Sequence, residues 1–215
     1  MLHGLGGTAL ITAVAAYTLV AASVVALRAD NLKRRLAYST VSQLAYVSLA
    51  CSVLAPAAIV GAALHLVAHA FGKITLFFAA GSIYTAAHKT EVSQLDGIGR
   101  DMPWTMAAFG IGSLSMIGLP PFAGFVSKWF ILSGAMSTGQ WAVLAVLAAS
   151  TLLNAAYFLP IVWRAFFAGG DGGGHHGGEA PAPMVIAQAV TAASCVALFL
   201  FPGPAIAFAR ALVGG

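Results

Sequence analysis

Long uninterrupted apolar runs alternate along the chain with short polar breaks. Crossing about 30 Å of hydrocarbon takes about 20 helical residues. By that measure seven segments stand out, at 5–27, 36–54, 57–86, 103–118, 120–136, 141–167 and 182–201. The period-two alternation of a membrane barrel strand is absent, and runs this long satisfy their backbone hydrogen bonds in lipid only as helices. The pattern predicts an all-α polytopic membrane protein with about seven transmembrane helices.

The polar breaks set the expected topology. Arg28, Lys33, Arg34 and Arg35 form the densest basic cluster, between the first two segments, and the positive-inside rule places that loop in the cytoplasm. Alternate counting puts Lys89 and Arg100 on the same side and the turns near Pro56 and Pro120 outside. The count leaves Arg164 outside and Arg210 inside. The Gly-rich stretch from Gly169 to Gly178, followed by Pro181 and Pro183, reads as a flexible loop. Its His175 and His176 are read as part of a solvated linker, because a glycine chain cannot pre-organise a metal site. The expected organisation is a transmembrane domain over 1–167, the loop over 168–183, and a last helix with its tail over 184–215. Phe201, Pro202 and Pro204 end that helix, leaving a tail around Arg210 at the interface.

Composition agrees with this reading and narrows it. The 215 residues are 60% hydrophobic and 7% charged, with a mean hydropathy of +0.92, against about 45–50% apolar and about 25% charged in soluble domains. That excludes a water-soluble fold. The net charge of +4 is too dispersed for nucleic-acid binding, which clusters basic residues on one face. Cys51 and Cys195 stand far apart in apolar runs and read as packing residues. No Lys or Arg precedes Arg28, and the first segment is too long for a signal-peptide core and is followed by basic residues, so it reads as a retained span. There is no nucleotide-binding motif and no cluster of Cys ligands, so no cofactor is expected on this chain.

Against that background the ionisable residues inside apolar segments are conspicuous. They are His65, His69 and Lys73 in the third segment and Lys128 in the fifth. A lysine at a helix centre costs about 2.5–3.5 kcal/mol on insertion scales and marks a functional site by default. The three residues at i, i+4 and i+8 lie along one helical face with about 6 Å of rise per step. Histidines titrate near neutral pH, and desolvation eases the loss of a proton from an ammonium group, so the row suits proton exchange. A metal site is the weaker alternative, because no third ligand lies in any span. Polar contact between helices, with snorkelling lysines, is the other. Lys128 follows Pro120, Pro121, Gly124 and Ser127, a combination that breaks a helix and frees carbonyls beside the ammonium group. In the second segment Ser39, Thr40, Ser42 and Gln43 form a polar cluster that either glues helices or supports a proton path. No acid lies in any span, so a carboxylate partner is expected from elsewhere.

At these residues the chain resembles a known family. The blocks Asp30 to Gln43, His65 to Lys73, Met102-Pro103 and Gly118 to Lys128, in that order, are similar to the signature blocks of the antiporter-like subunits shared by respiratory complex I, membrane-bound hydrogenases and Mrp-type sodium/proton antiporters. The stretch from Ser150 to Pro160 and the His/Gly-rich loop are most similar to the D subunits of the Mrp type. The resemblance implies two inverted five-helix repeats, each with one broken helix, joined by buried charges and water. Segments two to six would be the second repeat. His65, His69 and Lys73 would match its central axis, and Lys128 the broken-helix lysine on the exit side. The first repeat, with its glutamate and lysine, has no counterpart in these residues, so they correspond to the C-terminal half of a protein about twice as long. Gly72 departs from the bulky apolar residue often found there.

The expected function is that of a proton-translocating inner-membrane subunit of a multi-subunit monovalent cation/proton antiporter. Its partners would be other membrane subunits, including one that supplies the first repeat, and protons, with sodium left open. A complex I-type or hydrogenase pump is the first alternative, and a non-conducting scaffold the second.

Overall fold

The computed structural model describes residues 7–169 and 178–213. The reading of the Gly/His-rich loop, including His175 and His176, therefore lies largely outside the described residues. Within them all seven apolar segments are helical: α1 (Gly7–Arg28), α2 (Leu32–Ser52), α3 (Pro56–Ala87), α5 (Pro103–Ile117), α6 (Ala123–Ser137), α7 (Trp141–Phe167) and α8 (Ala182–Leu200). Two shorter helices, α4 (Ile98–Asp101) and α9 (Gly203–Ala211), precede α5 and follow α8. The starts follow local chemistry. Asn31 caps α2 by accepting the Arg34 N–H at 3.0 Å, and prolines open α3 and α5, where a missing N–H costs nothing. Four helices, α1, α3, α7 and α8, are long and apolar enough to cross a membrane by themselves.

The fourth and fifth segments do not each cross. α5 and α6 have 15 residues apiece, about 22 Å of helix at 1.5 Å per residue and short of the hydrocarbon thickness. They follow one another along the 32-residue α3. Gly72 of α3 faces Met116, and Gly112 faces Leu76, so α5 covers the C-terminal half of α3. Gly61 faces Ile131 and Gly134 faces Ala58, so α6 covers the N-terminal half. The two are halves of one broken crossing, and the seven helices make six crossings. Pro120 and Pro121 therefore sit at mid-height on the exposed side of the break, not in an outer turn.

That geometry corrects the expected sidedness of everything downstream. Arg164 faces Asp96 at 3.6 Å, and its carbonyl accepts the Gly97 N–H at 3.1 Å, so it belongs to the same end as Arg28 to Arg35. That end is tied together further: Leu32 N donates to the Thr90 carbonyl at 2.8 Å, Val92 N to the Asp30 carbonyl at 2.8 Å, and Ser93 Oγ to Asp30 at 2.6 Å. Glu179 joins it by accepting from Trp104 N at 2.6 Å and Thr105 Oγ1 at 2.7 Å, which caps α5. Arg210, expected inside, lies at the opposite end instead. The tail is helical there: α9 folds back so that Ala209 packs with Val60 and Leu64 near the start of α3. Apart from Lys73 and Lys128, Arg210 is the lone basic residue away from the charged end, a sharper positive-inside bias than alternate counting gave.

Two apolar clusters fill the bundle. One includes Leu36, Leu76, Ile83, Met106, Phe109 and Phe158 toward the charged end; the other includes Leu19, Leu49, Ala58, Ile131 and Leu147 toward the opposite end. The polar groups of interest lie where the two meet.

Candidate functional site

The regular α3 carries His65, His69 and Lys73 on successive turns, all buried at 0%, 8% and 5% exposure. The two imidazole centroids are 6.4 Å apart, the spacing that i, i+4 dictates. Ser127 Oγ donates to the Gly124 carbonyl at 3.0 Å, which leaves His65 Nδ1–H as the donor in its 3.0 Å bond to Ser127 Oγ. Neither His65 Nε2 nor His69 Nε2 has a protein partner. One turn on, Lys73 Nζ donates to the Leu36 carbonyl at 3.3 Å and to Ser39 Oγ, and lies 5.4 Å from the Phe158 ring centre.

Lys128 is held by the break itself. α5 stops at Gly118, whose φ of 89° is open to glycine but strained for other residues. The last carbonyls of α5 then have no helical successor to bond, and they carry the negative end of the helix dipole. Lys128 Nζ takes two of them, Ile117 O at 2.8 Å and Met116 O at 3.2 Å. Its other side lies 4.8 Å from the Tyr46 ring centre, and that ring is 5.2 Å from His65. Gly124 makes the arrangement possible. A Cβ there would fall 1.8 Å from the Ser115 carbonyl oxygen, so only a glycine lets the start of α6 approach the end of α5 this closely.

The expected residues thus divide. Ser39, Gln43 and Ser127 join His65, His69, Lys73 and Lys128, with Gln43 Nε2 donating to the Met116 carbonyl at 3.3 Å. Thr40 and Ser42 do not. Thr40 Oγ1 donates to Leu36 O of its own helix at 3.0 Å, and Ser42 faces α1, 3.0 Å from the Leu19 carbonyl and 2.7 Å from Ser23 Oγ. Pro120 and Pro121 shape the break without lining the buried cluster. Gly72, the departure noted in sequence, leaves room that the Met116 side chain fills, its Sδ 3.1 Å from where a Cβ would stand.

Sequence reasoning passed over several residues that the fold brings here. Tyr46, Ser150, Asn154 and Tyr157 are fully buried, and Tyr157 donates to Asn154 Oδ1. Ser150, Asn154 and Tyr157 fall at i, i+4 and i+7 of the mostly apolar α7, a polar stripe that its spacing could have revealed. Arg35 reaches inward from the charged end, donating to the Ala29 carbonyl at 2.8 Å and the Tyr157 carbonyl at 3.1 Å. No group of three His, Cys, Asp or Glu side chains able to hold a metal occurs among the described residues. What the cluster offers is exchangeable protons: two imidazoles and an ammonium group in a row on α3 with a second ammonium group from α6, and no carboxylate among the described residues of the helices that bear them.

Residues 7–154 match the family model described as NADH:quinone oxidoreductase/Mrp antiporter, transmembrane. The chain belongs to that family. Among its relatives, NADH-quinone oxidoreductase subunit N of Desulforudis audaxviator is 43% identical over 147 residues, 68% of this chain and 29% of that protein. F(420)H(2) dehydrogenase subunit N of Methanosarcina mazei is 29% identical over 209 residues, 92% of this chain and 42% of that protein. Among solved structures, the Mrp complex from Dietzia sp. DQ12-45-1b superposes with a TM-score of 0.88 at 21% identity, covering 96% of this chain and 46% of the matched one. Respiratory complex I from Thermus thermophilus with bound NADH gives 0.79 at 25% identity, covering 97% and 46%. This chain spans less than half the length of these proteins, and its broken helix and buried lysines lie within the family-matched region.

Proposed function

We propose that this chain is a proton-translocating module of a multi-subunit monovalent cation/proton antiporter, seated in the inner (plasma) membrane with its charged end in the cytoplasm. One observation carries the reading: the row His65, His69, Lys73 on α3 runs beside Lys128, whose ammonium group is held by carbonyls that the helix break sets free. Each group can take and give up a proton without moving its helix, and their burial keeps the proton from bulk water between steps. The resemblance in fold to the Mrp complex supports placing it in an antiporter. Partner membrane subunits would supply the carboxylate that the spans of this chain lack.

A second reading keeps the module and changes the complex. The 43% identity to an NADH-quinone oxidoreductase subunit favours a redox-driven pump. The driving force separates the two, because a sodium or potassium pulse moves protons through an antiporter, whereas substrate oxidation by the complex moves them through a pump.

The test common to both uses membrane vesicles of the native host with Lys73→Ala or Lys128→Ala on the chromosome, and a pH-sensitive dye to follow proton movement. Expected is normal assembly on a native gel with proton movement lost. If both variants assemble and transport at the parent rate, the chain is a non-conducting scaffold.

A further inference from the structure

The row on α3 is not the sole connection between the two lysines. Tyr46 lies under the Lys128 ammonium group, and its hydroxyl sits beside Ser150 and Asn154 of α7. Asn154 Oδ1 accepts the Tyr157 hydroxyl, Tyr157 lies beside Ser39 and Gln43, and Ser39 Oγ accepts from Lys73. Read in order, Lys128, Tyr46, Asn154, Tyr157, Ser39 and Lys73 form a second polar file, passing through α2 and α7 where the first stays on α3. Its middle is poorly satisfied by protein alone. Gln43 Oε1, Tyr46 OH, Ser150 Oγ and Asn154 Nδ2 are buried without a protein partner, although buried polar atoms in folded proteins are almost always hydrogen-bonded, to water where protein cannot serve. Simple helix adhesion would pair these groups with each other. Instead each is left with an unused donor or acceptor.

We infer that Tyr46, Asn154 and Tyr157 hold a hydrated relay that passes protons between Lys128 and Lys73 in parallel with the histidine row. This rests on the proton-translocation reading above. Each hop breaks one O–H bond as another forms. A proton leaving the Lys128 ammonium group enters the file as a hydroxyl or water farther along releases its own toward the Lys73 amine. The net change is one proton moved, with every hydroxyl and water in the file left neutral and reoriented. Asn154 orients its neighbours and carries no proton itself. Two routes between the same endpoints also give each histidine and each tyrosine a recognisable signature, because losing one route leaves the other open.

The test uses the same vesicles. Tyr157→Phe and, independently, Tyr46→Phe remove a hydroxyl and keep the ring, so packing is preserved. Each alone is expected to slow proton movement by no more than about 2-fold, His69→Ala likewise, because the other route stays open, and Tyr157→Phe with His69→Ala by far more than the product of the single losses. Parallel routes predict that excess; a residue that merely supports packing gives losses that multiply. The inference is overturned if both Phe variants transport at the parent rate and add nothing to His69→Ala, or if the combined loss equals the product. Lys73→Ala distinguishes the levels: if it transports normally the proton-path reading itself falls, and if it abolishes transport while the Phe variants do nothing, only the relay falls.

Discussion

Replacing Gly124 with alanine is the sharpest test of the idea that the broken helix exists to hold Lys128. The new Cβ would stand 1.8 Å from the Ser115 carbonyl oxygen and 2.9 Å from its carbon, both backbone atoms that no rotamer change can move. Reaching an ordinary contact of at least about 3 Å requires one helix end to slide past the other by more than an ångström, and overpacking of that kind costs about 1–3 kcal/mol. The same displacement separates Lys128 Nζ from Ile117 O and Met116 O, now at 2.8 and 3.2 Å. Buried hydrogen bonds to a charged group contribute about 1.5–3 kcal/mol. Gly124→Ala is thus expected to lower the thermal stability of the detergent-solubilised complex and to cut proton movement by more than tenfold. Gly72→Ala is the control. Its Cβ meets the Met116 thioether at 3.1 Å, and an unbranched flexible side chain gives way easily, so assembly and transport should stay near the parent. If Gly124→Ala behaves like Gly72→Ala, the close crossing of α5 and α6 does not position the lysine, and the argument from the break fails.

Two further outcomes follow from the packing. Ser39→Ala removes the hydroxyl that Lys73 bonds and leaves the Leu36 carbonyl at 3.3 Å, so transport should fall about tenfold, while Thr40→Ala, which loses a bond within its own helix, should change it less than twofold; equal effects would refute the placement of Ser39. In a background with Cys51 and Cys195 replaced, Ser93→Cys and Arg210→Cys should react with an impermeant thiol reagent from opposite sides of the membrane, and labelling of both from one side would refute the single crossing made by α5 and α6.

How much of this was legible in the sequence depended on what kind of signal each feature leaves there. Helix type and approximate ends came from apolar runs, which need no tertiary information, and all seven segments are helical. The number of crossings did not, because hydropathy registers a half-helix buried in protein and a full span alike. The segments at 103–118 and 120–136 were both short of the roughly 20 residues a crossing takes. Only the contact of Gly72 with Met116 and of Gly134 with Ala58 shows the two stacked along one neighbour. That single change moved Arg164 to the charged end and Arg210 away from it.

The site divides along the same line. His65, His69, Lys73 and Lys128 stood out because a charge in an apolar run has no bland explanation cheap enough to ignore. Neutral polar residues carry no such cost and so no such signal. Ser39 and Ser42 occur one helical turn apart in the same cluster and are both fully buried, yet one bonds Lys73 and the other bonds α1. Nothing local separates them; the identity of the helix opposite does. Tyr46, Asn154 and Tyr157 were hidden for that reason, since a hydroxyl or amide in a membrane helix adheres to whatever faces it. Whether it becomes adhesive or conductive is decided by whether its partners are satisfied. In this bundle the groups that face α1 are paired, and those between α2 and α7 are left with free donors and acceptors beside two lysines.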